Sequence, residues 1–397
     1  MKRTMLLTVL FAAVLAMAST MIMAQQSQRT GQGPGTGQNQ DAFKPKLYVN
    51  LPDWCHNPDG MTLCEETGMI YLNCPNFNLM TDGKKEFAPT LSSIDKDGKF
   101  EKLLEYPPLE ETGQCGPMGL DFGPDGNLYV CDNQYFHDKD HKSRILCVEM
   151  KEGKPTGKIT PVVKGLKLAN AVMWHENEMW VTDTCLDFPG EFGVGGLWRF
   201  KGDEILKQTQ PLKMLPNGQD KHLVVKESVK KIGREEASGA DGMTVDKNGV
   251  IYFGNFGDGV MYAVTVDKTN DSVQCTKILD DERFQCCDGI FYDAACDLIF
   301  INDSQKNAIH YMTPIREGGT RVFCRTLWEN DDTDGTDGLL DQPCECVVRD
   351  GKMIIANFDW PFPGLKNTAV DKPYTISVID LAPLYERMQQ RQRQPRQ

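Results

Sequence analysis

The chain is poor in positive charge, poor in histidine, and without any long amphipathic helical pattern. Lys and Arg number 43 against 56 Asp and Glu, a net charge of −13 over 397 residues. Such an acidic exterior argues against nucleic acid as a partner. There are only 6 His, and the cysteines show no zinc-finger spacing with a matching second pair. Cys344–Cys346 and the adjacent Cys286–Cys287 make poor zinc knuckles. A P-loop, a dinucleotide fingerprint and a serine nucleophile elbow are all missing, which removes three common routes to catalysis. With 14 Cys, the chain is far from the density at which disulfides replace a core, and 40% hydrophobic residues supply ample core material.

The ends differ from the middle. Lys2 and Arg3 precede an apolar run from Met5 to Ala18, and small residues follow up to Ala24. That pattern predicts a signal peptide over 1–24, too short in its apolar part to span a bilayer comfortably. A secreted or periplasmic protein follows, with no stable membrane insertion after signal removal. Export permits disulfides, so some bridges beside some buried free thiols are expected. The Gln/Gly-rich stretch after the signal predicts a flexible linker over 25–44. The Gln/Arg-rich C-terminus predicts a disordered tail over 386–397. The body is 45–385.

Within the body one pattern recurs six times: a small or polar turn, a short apolar strand, a turn, and a second strand ending in a polar residue. The copies run Asn57–Cys74, Gly116–Asn133, Ala169–Thr184, Ala240–Phe256, Cys287–Ser304 and Pro343–Asp359, starting roughly 50 to 70 residues apart. The intervals hold further short β-branched runs, such as Arg144–Glu149 and Lys158–Val163 after the second copy. Four strands per repeat and six repeats predict an all-β, six-bladed β-propeller with antiparallel blades. The sixth copy is followed by one good strand, Tyr374–Asp380, and so lacks a fourth. Lys46–Asn50 precedes the first copy and has no blade of its own. It is expected to supply the outermost strand of blade six, closing the ring and removing a free edge. The long interval from Phe200 to Ser238, with its charged stretch Lys226–Glu236, reads as a surface excursion or lid.

In a propeller the innermost strand of each blade lines the central channel. The turns leading into these strands carry Asp59, Met118, Asn170, Asp241, Asp288 and Glu345. Asp-Gly is also an ordinary turn signal, so any one position alone would read as a turn. Five oxygen-bearing side chains in six equivalent places read as a cation site. Like charges in a narrow, partly dry channel are costly without a counter-ion. Oxygen donors without His favour a hard divalent ion, calcium first, over zinc. The expected metal ligands are Asp59, Asn170, Asp241 and Asp288. The expected catalytic carboxylates are Asp241, then Asp288 or Glu345. His56 and His175 lie near the repeat turns and are expected at the surface.

The segments Gly239–Phe256 and Leu168–Thr184, with the blade spacing, resemble the gluconolactonase and senescence-marker-protein family. More distantly they resemble diisopropyl-fluorophosphatase and paraoxonase. The resemblance covers most of 46–381. It implies a channel-bound divalent ion held by a Glu, an Asn and an Asp, and hydrolysis of lactones and related esters. Asp241 matches the family Asp and Asn170 the family Asn. Asp59 stands in place of the first-blade Glu, one methylene shorter. Met118 takes a place where an Asn ligand is expected and is a poor donor for a hard cation.

The resulting expectation is a metal-dependent, calcium-using hydrolase of a lactone or related small-molecule ester. The alternative is a non-enzymatic secreted propeller binding a small ligand or protein partner through Met118, Trp174, Trp360 and Phe362. A sugar-oxidising propeller with a redox cofactor would need a stacking platform and a cationic anchor, and no Arg or Lys occupies the six channel positions.

Overall fold

The computed structural model describes residues 41–393, except 78–86, 189, 190, 192, 216–218, 230–237, 317, 362 and 363. The expected signal peptide, residues 25–40 of the expected linker, Phe362 and most of the charged excursion (230–236) lie outside the described residues.

Strand β1 (Lys46–Asn50) comes first in sequence and is used last. Blade one is β2 (Met61–Cys64), β3 (Met69–Cys74), β4 (Thr90–Ile94) and β5 (Phe100–Glu105). Blade two is β6 (Pro117–Phe122), β7 (Leu128–Asp132), β8 (Ser143–Lys151) and β9 (Lys154–Leu166). Blade three begins with β10 (Ala169–His175), β11 (Glu178–Leu186) and β12 (Val194–Lys201). A short helix α1 (Gly202–Leu206) and the two-residue β13 (Leu212–Lys213) then intervene. β13 pairs in parallel with β9, so the long interval reaches back to blade two before β14 (Leu223–Ser228) completes blade three. Blade four is β15 (Ala240–Val245), β16 (Ile251–Asn255), β17 (Met261–Asp267) and β18 (Ser272–Leu279). Blade five is β19 (Ile290–Asp293), β20 (Leu298–Asp303), β21 (Ala308–Met312) and β22 (Cys324–Glu329). Blade six has β23 (Pro343–Arg349), β24 (Lys352–Asn357) and β25 (Thr375–Asp380), and β1 pairs antiparallel with β25 as its outer strand. The fold is a six-bladed β-propeller closed by an N-terminal strand, as expected.

Burial explains the layering. The second strands β7, β16 and β20 are buried along their whole length, while the outer strand β18 alternates exposed and half-buried positions over its first five residues. A strand covered on both faces reads as a continuous apolar run, and one with a wet face alternates. Trp180, Tyr71, Tyr129, Tyr252 and Phe300 are among the largest fully buried side chains. Each contributes roughly 2 kcal/mol of apolar burial.

In blades one, two, three and five a polar residue at or near the end of the second strand has a structural task. Asn73 donates from Nδ2 to the Met118 carbonyl of the next blade (2.7 Å). Asp132 accepts from Gly116 N–H (2.8 Å), and Asp183 accepts from Lys167 and Leu168 N–H (3.0 and 2.7 Å). Asn302 donates to the Gly289 carbonyl (2.8 Å). Each satisfies backbone groups of a turn leading into an inner strand, where no ladder partner exists.

Two ends differ from expectation. Phe43 lies in the stretch expected to be linker, yet it is buried in the cluster of Leu381 and Leu384, because an aromatic ring there gains more from burial than the chain loses in freedom. A helix, α2 (Ala382–Arg393), occupies the described part of the segment expected to be disordered from 386. Leu384 is buried, Tyr385 and Met388 pack on the same cluster, and Tyr385 Oη donates to Asp293 (2.6 Å). Gln and Arg are good helix formers once such anchors exist. Among the described residues Cys55 and Cys74 form the one disulfide, beside twelve free cysteines.

Candidate functional site

The channel is built by close backbone approach. Five inner strands carry a small residue just after the channel position: Gly60, Gly119, Ala171, Gly242 and Gly289. A Cβ on Gly242 would strike the Asp288 carbonyl and lie 2.8 Å from Gly289 Cα. A Cβ on Gly119 would lie 2.7 Å from the Asn170 carbonyl. Each of these four glycines therefore abuts the channel residue of the next blade.

That rule corrects blade six. Gly289 meets the Cys344 carbonyl, to which its own N–H donates (2.6 Å), so the sixth channel position is Cys344. Glu345 occupies the place that is Gly or Ala elsewhere. Its Oε1 lies against Gly289 and accepts from Cys346 N–H (2.9 Å). Cys344 Sγ lies 3.1 Å from the Pro58 carbonyl, linking blade six to blade one.

Asp59, Met118, Asn170, Asp241, Asp288 and Cys344 line one cavity of about 810 Å³. Glu345 is not on its wall. Asp59 and Asp241 are 7% and 4% exposed, and Oδ2 of Asp59 has no hydrogen-bond partner. Burial raises Asp59 to about 7. Asp241 is pushed well above the usual carboxylate range by burial, then by the fields of Asp59 and Glu345. Asp288 is raised likewise by burial, then by Asp241 and Asp59. Burial also raises Glu345, with Cys346 N–H opposing and Asp288 and Asp59 adding to it. These carboxylates are thus near enough to feel one another, and no cationic side chain figures among the strongest influences on them.

The residues fit a hard cation in donor chemistry. Three carboxylates and a carboxamide offer oxygen only, and one buried oxygen is orphaned. Met118 and Cys344 are the two soft members and suit such an ion poorly.

Much of the remaining lining is apolar. Tyr135, Phe136, Leu168, Leu186, Val194, Phe256, Phe358 and Leu365 make up this part. Behind Phe136 and Phe358 stands a ring cluster, with Phe77–Phe136, Phe77–Trp360 and Phe358–Trp360 centroids 5.3, 5.4 and 5.6 Å apart. Asn133, on the wall, accepts Tyr135 N–H (2.9 Å) while its Nδ2 has no acceptor. At the rim, Lys167 pairs with Asp187, which also contacts His141 Nε2 (2.9 Å). Asp187 is consequently lowered, although burial opposes this.

Other expected positions fall elsewhere. His56 is buried, not superficial, and stacks on Tyr374 at 5.1 Å. Trp174 packs edge-on against Tyr129 at 4.9 Å, away from the cavity wall. Asp183 is fully occupied by Lys167 and Leu168 N–H and Trp198.

No protein-family model and no curated protein match the chain. Solved structures do. A structure described as a gluconolactonase aligns at TM-score 0.51 and 13% identity, over 86% of this chain and 92% of the other. A luciferin-regenerating enzyme aligns at 0.54 and 12%, over 84% and 94%. The chain shares the six-bladed propeller fold of these structures. A PQQ-bound aldose sugar dehydrogenase from Streptomyces coelicolor aligns at 0.52 and 12%, over 84% and 96%. The fold therefore admits more than one chemistry, and the site must decide.

Proposed function

We propose that the channel hydrolyses a lactone or related ester with a divalent metal, calcium first. The observation that carries this reading is the set of Asp59 and Asp241, buried, with Asn170 and Asp288, half-buried, lining one cavity without a cationic partner among the described residues. These four residues would hold the ion. When bound, such an ion polarises an ester carbonyl and stabilises the oxyanion. The chain's own side chains supply the rest. Asp241 is the first candidate to take the proton from attacking water, and Asp288 the second, since both carboxyls are tuned upward by burial. Glu345 acts on Asp241 through its charge rather than as the base, because it stands off the cavity wall. The unpaired Nδ2 of Asn133 is available to a substrate oxygen. The aromatic wall holds the substrate's apolar part and excludes water. The gluconolactonase described above supports this reading by likeness of fold. The Cys55–Cys74 bridge supports the accompanying proposal of a secreted or periplasmic location.

A panel of lactones and aryl esters tests the reading. The wild type should turn over at least one class, EDTA should suppress it, and Asp241→Asn should lose about 100-fold or more in kcat/KM. The same aromatic wall favours the second reading, a ligand-binding propeller. Absence of turnover with calcium, magnesium, manganese or zinc would leave that one standing.

A further inference from the structure

Away from the channel, three carboxyl groups of blade six converge. Asp341 precedes β23, Asp359 follows β24 and Asp371 precedes β25. One oxygen from each lies within 4.8 Å of the others. Asp341 and Asp359 are each 2% exposed. Asp359 is partly satisfied, accepting from Asn367 Nδ2 (2.9 Å) and Asp371 N–H (2.7 Å). Asp341 is not: its Oδ1, buried among these groups, has no hydrogen-bond partner. Gly335 folds the acidic segment 331–338 onto this carboxyl, where a Cβ would sit 2.9 Å from Asp341 Oδ2.

Burial raises Asp341 to about 9, and the strongest fields on it come from Asp359, Asp371, Asp332 and Asp334. Asp359 is raised to about 7 by burial, with Asp371 and Asp332 adding. The neighbouring Lys366 is turned to Glu329 and Asp331 (2.8 and 3.7 Å). An orphaned, buried carboxylate oxygen among like charges needs either a proton or a cation. Three carboxylates from two loops, the one before β23 and the one joining β24 to β25, supply oxygen alone and, with room for waters on the part-exposed Asp371 side, match the coordination habit of calcium.

We propose that Asp341, Asp359 and Asp371 hold a calcium ion that clamps the loop before β23 to the loop joining β24 and β25. The clamp lies next to the cavity, because Gln342 and Phe358, chain neighbours of Asp341 and Asp359, line its wall. Gln342 Oε1 also accepts from Trp360 N–H, so the clamped loops carry part of the aromatic wall. This site is independent of the channel reading.

Calorimetry with calcium chloride on the EDTA-stripped, purified protein tests it, with Asp341→Asn, Asp359→Asn and the channel variant Asp241→Asn alongside. Asp341→Asn and Asp359→Asn should each lose one equivalent that Asp241→Asn retains. If the channel also binds calcium, the wild type takes up two equivalents; if the channel reading fails, it takes up one, and the aspartate variants still abolish it. Calcium should raise the melting temperature of wild type by more than that of Asp341→Asn, and should still raise that of Asp241→Asn. Because Asn is nearly isosteric and removes a buried charge, Asp341→Asn should melt in EDTA at or above the wild type. Calcium uptake by Asp341→Asn and Asp359→Asn equal to wild type would overturn the proposal. So would a wild type that binds no calcium, which would mean that the cluster shares a proton instead.

Discussion

Asp121, on β6, joins three blades. It accepts Trp174 N–H of blade three (2.7 Å) and Phe122 N–H of its own strand (2.8 Å), and Thr62 Oγ1 of blade one lies 3.5 Å away. Burial raises its carboxyl to about 6, against the opposing pull of these donors. A raised carboxyl binds its proton more tightly in the folded state than in the unfolded one. Its contribution to stability is therefore greatest below about pH 4 and falls as pH rises to about 6. Asp121→Asn removes the titration. The stability of wild type relative to Asp121→Asn should fall by on the order of 2 kcal/mol between pH 4 and 6, then stay level. Urea unfolding at pH 4, 5, 6 and 7 checks this, and parallel profiles for the two proteins would contradict it.

At the same scale, the channel residues were legible where the repeat was clean. Asp59, Asp241 and Asp288 each precede a Gly that the close approach of the next blade requires, and Asn170 precedes Ala171. Blade six misled because a carboxylate, Glu345, stands beside the true channel residue Cys344. A signal for the correct register was present: Pro58-Asp59, Pro117-Met118 and Pro343-Cys344 share a proline before the channel position. The aromatic wall was mostly hidden, since Phe136 and Phe358 lie after the second strands, outside any hydrophobic period. The Asp341, Asp359 and Asp371 cluster was hidden for a related reason, its members being spread over two loops at no motif spacing.

At the scale of elements, the inner strands are spaced by what they lack. Gly242 has no room for a methyl group between β15 and β19, because the Asp288 carbonyl and Gly289 Cα already occupy it. Gly242→Ala should push blades four and five apart, costing about 2 kcal/mol or more by overpacking. The same displacement should weaken any chemistry that needs Asp241 and Asp288 together. Denaturant unfolding measures the first effect, and wild-type stability in this variant would contradict the packing account. Strand closure by β1 was readable because blade six lacked a strand and Lys46–Asn50 lacked a blade. β13 was not readable, because two residues in parallel pairing leave no period. Helix α2 was concealed by its composition. Leu384, Tyr385 and Met388 are its apolar anchors among the described residues, amid Gln and Arg that also mark unfolded tails.

For the whole molecule, a ring of six blades leaves one axial channel, and this chain places three carboxylates and a carboxamide on the wall of its cavity. The fold was legible because six copies of one pattern constrain each other. The chemistry was less so, because Met118 and Cys344 depart from an all-oxygen ring. The central claim is that a divalent cation completes the channel. Anomalous X-ray scattering from crystals soaked in manganese, which substitutes for calcium at oxygen sites, tests it most directly. The account expects a peak on the axis between Asp59, Asn170, Asp241 and Asp288 that is lost in Asp241→Asn crystals. A channel without anomalous density at saturating manganese would contradict it.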